Sequence, residues 1–482
     1  MELLKSYKDD LYKCIHCRAC RSAYSGEPNR EGIGEFKGTF YAGIIDGCPA
    51  GIEFGWEGYW NAGRMWMARA VLDGDLDLKD SKTRQDIYEI LYRCPTCGLC
   101  SMQCENNLPT VPINEALRAA LVEAGVELLP KHKGLRDLIE TKNNPYNEEQ
   151  IHRCDWVTDK SKIDNPDAKI AYYVGCTAAY RMNDMAKATE QILGKLHKAG
   201  YIPDYTILSD EVCCGSVIFR TGQLDTAHKV MHHNVKTFNE YETVVYSCAG
   251  CYRTMKIDYE SFSKIPVKYN PKHVIELIAE LMLIKCPACD KWNDPDAEYC
   301  ENDWCPKYSK KKGEPFPAEF HENKLKITKK WTKGSITWHD PCHTVRHFCF
   351  SINEKNLEKI TGDGNNNQWM SNKATEAERQ RWVDMPRAII RNIPGMELKE
   401  MYRIGENSLC CCAGGGVKAA YPDFALIGAQ RRLDEGEATG ADIMMTACPF
   451  CELNMGQAAR ENEGHFEGKV LDLLEILNEL ID

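Results

Sequence analysis

Thr243-Val244-Val245-Tyr246-Ser247-Cys248-Ala249-Gly250-Cys251 and Ile443-Met444-Met445-Thr446-Ala447-Cys448-Pro449-Phe450-Cys451 follow one pattern: four residues of strand character, one small residue, then a C-x-x-C pair. Outward from them, each closes a set of five cysteines. The first set is Cys176, the adjacent pair Cys213 and Cys214, then Cys248 and Cys251; the second is Cys342, Cys410 and Cys411, then Cys448 and Cys451. The intervals are 36 and 33 residues in the first copy and 67 and 36 in the second. Short apolar runs also precede Cys176 (Ile170 to Val174) and Cys342 (Ile336 to Trp338). After the adjacent pairs, Leu224, Ala227, Val230, Met231, Val235 and Phe238, and later Phe424, Leu426, Ile427, Ala429 and Leu433, recur at spacings that line one helical face. Strand, cysteine loop and helix in succession predict α/β units with the thiols at the carboxyl ends of the strands, where open sheets place their sites. The longer first interval of the second copy, Val345 to Leu409 with Gly362 to Asn367 inside it, reads as an inserted loop over the site.

With His339-Asp340-Pro341-Cys342-His343 and the glycine run Gly414, Gly415 and Gly416, the repeat resembles the CCG domain of heterodisulfide reductase catalytic subunits and of related iron–sulfur subunits of glycolate, lactate and sulfur oxidoreductases. The resemblance covers roughly residues 168 to 482. It implies that each repeat holds a non-cubane 4Fe-4S cluster through five thiolates, which makes these ten cysteines the catalytic residues. One departure stands out. Cys213-Cys214 is followed by Gly215, but Cys410-Cys411 is followed by Cys412. The Ala-Gly-Gly-Gly run falls in register if Cys410 and Cys411 are the ligands, with Cys412 a competitor for iron.

The amino-terminal part carries Cys14, Cys17 and Cys20, then Cys48 before Pro49, then Cys94, Cys97, Cys100 and Cys104. A triplet plus a remote fourth cysteine is how ferredoxins hold 4Fe-4S cubes, and in two-cluster ferredoxins the fourth cysteine of each run ligates the other cluster. The rule gives Cys14, Cys17, Cys20 and Cys104 to one cubane cluster and Cys94, Cys97, Cys100 and Cys48 to the other. Trp56 to Leu72 and Ser81 to Tyr92, between the runs, read as helices, so the domain is similar to the α-helical ferredoxins of succinate dehydrogenase relatives; Pro112 to Ala124, in the joint that follows, reads as a further helix. Two structural zinc sites are the alternative, but zinc pairs C-x-x-C knuckles rather than three equally spaced cysteines. Between the repeats, Cys286, Cys289, Cys300 and Cys305 fit a closed four-thiolate site for one zinc, with a one-iron, rubredoxin-like site as the rival. Cys154 stands alone and reads as an idle thiol. His339, His343 and His347 flank Cys342 as candidate proton donors or as partners that fix the loop.

The expected architecture is α+β and multidomain: a helical ferredoxin domain (1–125), a linker (126–168), a first CCG domain (169–284), a zinc-ribbon-like insertion (285–312) and a second CCG domain (313–482). Twenty-five cysteines, most of them in closely spaced groups, point to metal ligation in a reducing compartment rather than to disulfides. A net charge of -11 with no basic stripe argues against nucleic acid. No stretch approaches the roughly 20 apolar residues of a membrane span, and the start lacks a secretory core, so a cytoplasmic protein is expected, associated with a membrane only through a partner. No G-x-G-x-x-G or P-loop run follows a strand, which excludes a nucleotide site of its own.

The resemblance implies an oxidoreductase subunit in which two cubane clusters feed two non-cubane clusters that reduce or form a small disulfide. Its implied partners are other redox subunits: a flavoprotein, a hydrogenase- or formate dehydrogenase-type subunit, or a membrane cytochrome. The alternatives are a non-catalytic electron-transfer subunit of a larger anaerobic complex, of the sulfur-metabolising or aromatic acyl-CoA reductase type, and the iron–sulfur subunit of a 2-hydroxyacid oxidoreductase.

Overall fold

Two small parallel sheets, one for each five-cysteine copy, place the thiols. In the computed structural model of the chain, residues 1–24, 44–350 and 372–482 are described. Strand β1 (Ile170–Tyr173) lies between β2 (Tyr205–Thr206) and β3 (Thr243–Tyr246), and β4 (Asn270–His273) continues the sheet beyond β3, so that the order is β2-β1-β3-β4 with all strands parallel. In the second copy β5 (Ile336–Trp338), β6 (Ile443–Thr446) and β7 (Val470–Asp472) form the parallel sheet β5-β6-β7. The registers Tyr173↔Tyr246 and Ile443↔Ile336 make β1-β3-β4 and β5-β6-β7 counterparts. A single parallel bridge, Ile336↔Leu398, stands where β2 pairs in the first copy. Buried on both faces, β1, β3 and β6 are the apolar runs that parallel sheets require.

The helices repeat in step. Cys176–Tyr180, Ser216–Arg220, Leu224–Phe238, Ala249–Arg253 and Val274–Met282 correspond to Cys342–Val345, Val417–Ala420, Pro422–Glu437, Pro449–Glu461 and Leu473–Leu480. The segment expected as an inserted loop is helical over Asn372–Arg391, because Trp382, Met385, Ala388 and Ile389 bury one face there. Its Gly362–Asn367 part lies outside the described residues.

Before the repeats, Glu2–Lys5, Lys8–Lys13, Asn61–Asp73, Ser81–Tyr92 and Thr110–Glu123 enclose a core of Leu4, Leu11, Met65, Ala68, Leu91 and Leu117. Asp80 caps Ser81–Tyr92 by accepting from the Thr83 N–H. The stretch expected as a linker contains the helix Pro130–Lys142, which starts on proline and ends at Asn143 in the left-handed region. Residues Ile284–Lys285 and Trp292–Asn293 pair as a small antiparallel ribbon that opens the insertion. The mixture of helices with small parallel sheets is α+β.

Candidate metal centres

Each repeat delivers its thiols from the same three places. Cys176 and Cys342 begin short helices after β1 and β5. Cys213-Cys214 and Cys410-Cys411 occupy loops before the helices Ser216–Arg220 and Val417–Ala420. Cys248 and Cys448 cap the helices that carry Cys251 and Cys451. All ten are buried, and none of the described cysteines forms a disulfide. The contacts repeat as well. Cys176 meets Cys213 and Cys214 meets Cys251; in the second copy Cys342 Sγ lies 3.9 Å from Cys410 Sγ and Cys411 Sγ lies 3.3 Å from Cys451 Sγ. Cys248 and Cys448 act on each other electrostatically and line the same cavity, so the two sets adjoin. All ten thiols line one cavity of about 340 Å3.

Sequence neighbours of the thiols show why the loops close this way. Gly175 has φ +77°, and a Cβ there would stand 3.1 Å from Cys251 Sγ. The Gly215 N–H donates to Cys213 Sγ at 3.4 Å, and the Cys412 N–H donates to Cys410 Sγ at 3.3 Å. Cys412 also has φ +66° where Gly215 has +76°, so it occupies the glycine position of the repeat. Its side chain packs against Gly428, away from the cavity, in a cluster with Cys48, Trp60 and Phe424.

The histidines divide by position. His343 lines the cavity with Nδ1 3.4 Å from Cys342 Sγ, and His347 stacks on it at 4.2 Å between ring centres. Burial drives the His347 imidazole well below the ordinary histidine range, so this ring is neutral. His339 lies with Cys411 and Cys451 close enough to share a metal ion, and the Arg432 Nε–H donates to its Nδ1 at 3.1 Å. Asp340 faces away from the thiols. It accepts from both Nη groups of Arg387 at 2.8 and 2.9 Å, from the Gly405 N–H at 2.7 Å and from the Trp338 indole at 3.0 Å.

In the helical part, Cys14, Cys17, Cys20 and Cys104 surround one small cavity of about 20 Å3. Cys48 is electrostatically close to Cys94 and Cys97, and Cys94 to Cys100. Cys97 also touches Cys410, and this contact with a thiolate-stabilising neighbour draws its thiol down to about 7. Burial pushes the Cys20 thiol up to about 12, so that its thiolate form depends on a bound cation to share the charge. The thiols of Cys286, Cys289, Cys300 and Cys305 lie within 4.8 Å of one another. Cys154 is buried near the Leu208 carbonyl, apart from every group.

The cavity has further walls that no cysteine spacing announces. Leu135, Pro145 and Tyr146 come from the stretch before the first repeat, and the Tyr146 hydroxyl shares a 2.9 Å hydrogen bond with Thr177. Lys418 donates to Asn454 Oδ1 and Gln457 Oε1, both at 2.7 Å. Only the asparagine–proline turn at Asn144-Pro145 hinted that the chain folds back there.

Comparison with known proteins fits this geometry. The chain matches the cysteine-rich CCG domain over residues 170–256 and 376–456 and the 4Fe-4S dicluster domain over residues 10–108. It is 30% identical over 393 residues to a subunit of the dihydromethanophenazine:CoB–CoM heterodisulfide reductase of Methanosarcina mazei, covering 80% of this chain and 77% of that one. With the same subunit from Methanosarcina barkeri it is 30% identical over 92% of this chain and 88% of that one. With a subunit of the fumarate reductase (CoM/CoB) of Methanothermobacter marburgensis it is 28% identical over 81% of this chain and 62% of that one.

Proposed function

We propose, for a chain that belongs to this heterodisulfide reductase subunit family and is an iron–sulfur oxidoreductase, that electrons pass from two cubane clusters to a two-centre site where a small organic disulfide is cleaved or formed. The observation that carries this reading is the single cavity lined by all ten repeat cysteines. We assign Cys176, Cys213, Cys214, Cys248 and Cys251 to one non-cubane cluster and Cys342, Cys410, Cys411, Cys448 and Cys451 to the other. The parallel contacts of the two sets and the packing of Cys412 against Gly428, away from the cavity, support that assignment. Cys14, Cys17, Cys20 and Cys104 are assigned to one cubane cluster, supported by their common cavity, and Cys94, Cys97, Cys100 and Cys48 to the other, supported by their proximity. The four thiols of the insertion are assigned to one structural metal ion, zinc rather than iron, because four residues separate Cys300 from Cys305 where a rubredoxin-like site has two.

The donor sets fit these groups: all are uncrosslinked thiols, and the ten of the repeats are buried and face space that no side chain fills. Bound iron–sulfur clusters supply one-electron steps, and iron with an incomplete thiolate set offers a place for a substrate sulfur. The protein supplies the rest. Reducing R–S–S–R′ to two thiols takes two electrons and two protons. The cavity walls Leu135, Pro145, Phe450 and Leu453 present apolar surface beside the sulfur atoms. His343 and the Tyr146 hydroxyl stand at the wall as groups that can hold a proton.

The relatives are named for a CoB–CoM heterodisulfide, and we take from that name only the class: a disulfide of two different small thiols. Other redox subunits are the partners this role requires. No helix among the described residues is long and apolar enough to cross a membrane. The test is anaerobic: fully metallated protein with a low-potential artificial donor should turn over a small organic disulfide, and oxidation with a thiol present should give a paramagnetic signal that the thiol perturbs. Neither turnover nor signal, with electrons still delivered to a co-purified partner, would replace the enzyme by a relay.

A further inference from the structure

Nine arginines of the described chain are buried: Arg64, Arg118, Arg153, Arg220, Arg253, Arg346, Arg387, Arg403 and Arg432. Six of them face carboxylates: Arg153 meets Glu211, Arg220 and Arg253 meet Asp258, Arg387 meets Asp340, and Arg403 and Arg432 meet Glu435. Arg64, Arg118 and Arg346 have no carboxylate partner among the described residues, although a buried cation without one is strongly disfavoured. These three surround the same place. The thiols of Cys94, Cys48 and Cys100 act on the Arg64 guanidinium, which is also placed to bond the Cys48 thiol; its Nη2 has no acceptor among the described residues, and its bond to the Ile90 carbonyl is 3.4 Å long. Arg118 donates to the carbonyls of Cys94 (2.7 Å), Leu91, Arg220 and Gly415, and its Nε has no acceptor. Arg346 donates to the carbonyls of Cys97 at 3.3 Å, Glu406 at 2.8 Å and Ser408.

We propose that Arg64, Arg118 and Arg346 are the counter-ions of the cluster held by Cys94, Cys97, Cys100 and Cys48, and that they hold its midpoint potential above that of the cluster held by Cys14, Cys17, Cys20 and Cys104. The proposal rests on the cubane assignment given above. Four thiolates outweigh the charge of an oxidised cubane core, and each one-electron reduction adds a further negative charge. Fixed cations in a dry site favour that reduced form. Among the described residues the other site has no such set: Cys17 is exposed, and the nearby Arg18 and Arg21 share Glu57 at the surface. An electron arriving there therefore moves inward and waits beside the repeats. The three arginines are positioning residues for charge and touch no substrate.

The test is a redox titration of the two cubane signals by electron paramagnetic resonance in the holoprotein. The signal that survives in Cys14→Ala identifies the inner cluster, and in the wild type its midpoint should be the higher of the two. Arg64 is the arginine to change first, since it bonds one backbone carbonyl where Arg118 and Arg346 each bond three or more. Arg64→Met and Arg346→Met should each lower the inner midpoint and leave the outer one in place, and Arg64→Lys should restore most of the loss. Loss of the inner cluster from Arg64→Met with retention in Arg64→Lys also supports the charge role. The proposal is overturned if the inner midpoint stays put in both methionine variants, if the shift falls on the outer cluster, or if lysine fails to restore either potential or cluster. Failure of the cubane assignment itself would appear earlier, as a wild type with fewer than two cubane signals or a Cys14→Ala variant that loses both.

Discussion

Cys412 stands among three consecutive thiols in the sequence and takes the place of a glycine in the fold. Three consecutive thiols gave two possible pairs, and only the glycine run after them favoured Cys410 with Cys411. In the fold, Cys412 has the left-handed backbone that Gly215 has in the other repeat, and its side chain is spent on Gly428. We expect Cys410→Ser and Cys411→Ser each to abolish the second non-cubane signal, while Cys412→Gly keeps it. The glycine would relieve a backbone that glycine prefers, and the small void beside Gly428 would offset the gain, so thermal unfolding should change by less than about 1 kcal/mol. Cys48 is the complementary case, remote from any triplet in sequence and beside Cys94 and Cys97 in space. Cys48→Ser should remove the signal that survives in Cys14→Ala, and loss of the other signal instead would reverse the assignment. The rule that exchanges the fourth ligands between two ferredoxin runs predicts such a proximity from spacing alone.

Among the elements, the strand-to-helix junctions decide where sulfur can go. Four strands that close on a cysteine, Ile170–Tyr173, Thr243–Tyr246, Ile336–Trp338 and Ile443–Thr446, were readable to within a residue because buried parallel strands are short apolar runs. The helix Asn372–Arg391 was not, since its apolar face is confined to its last turns and Pro386 interrupts the pattern. That helix is fastened to the His339–His343 motif by Arg387 and Asp340. Burial alone would push the Asp340 carboxyl up, but Arg387 and the Gly405 N–H hold it below the usual carboxylate range. Its contribution is therefore complete at neutral pH and is lost as pH falls through the depressed value. Asp340→Asn should cost about 3 kcal/mol in urea unfolding at pH 7, where it leaves Arg387 with Glu400 alone, and the gap from the wild type should narrow in acid. At the other junction, Gly175 combines φ +77° with ψ 155°, a region nearly closed to other residues at a cost of about 1–3 kcal/mol. Gly175→Ala should therefore reduce stability and, by pressing on Cys251, deplete the first non-cubane cluster ahead of the second.

At the scale of the whole molecule, the three thiol-rich regions stand in an order that no single repeat reveals. Cys97 of the helical part touches Cys410 of the second repeat, and a buried cluster joins it to Cys342 as well. The first repeat meets the second through Cys248 and Cys448. Among the described thiols, no comparable contact links the helical part to the first repeat, although Arg118 and Tyr92 bond the backbone there. The sequence could not show this order, because both repeats follow the same helical part, whereas adjacency depends on how three bodies pack. The proposed path thus runs from the cubane clusters to the second repeat and from there to the first. Two variants separate this from a branched path that feeds both repeats at once. With Cys213→Ser, which removes the first non-cubane cluster, electrons from a low-potential donor should still reach the second repeat in rapid-freeze experiments. With Cys410→Ser, the cubane signals should still be reducible while the first repeat is no longer reduced at the wild-type rate. Disulfide turnover should stop in both, because the cavity needs both walls. A first repeat that fills at an unchanged rate in Cys410→Ser would mean that electrons reach it by another route, and the serial arrangement would be wrong.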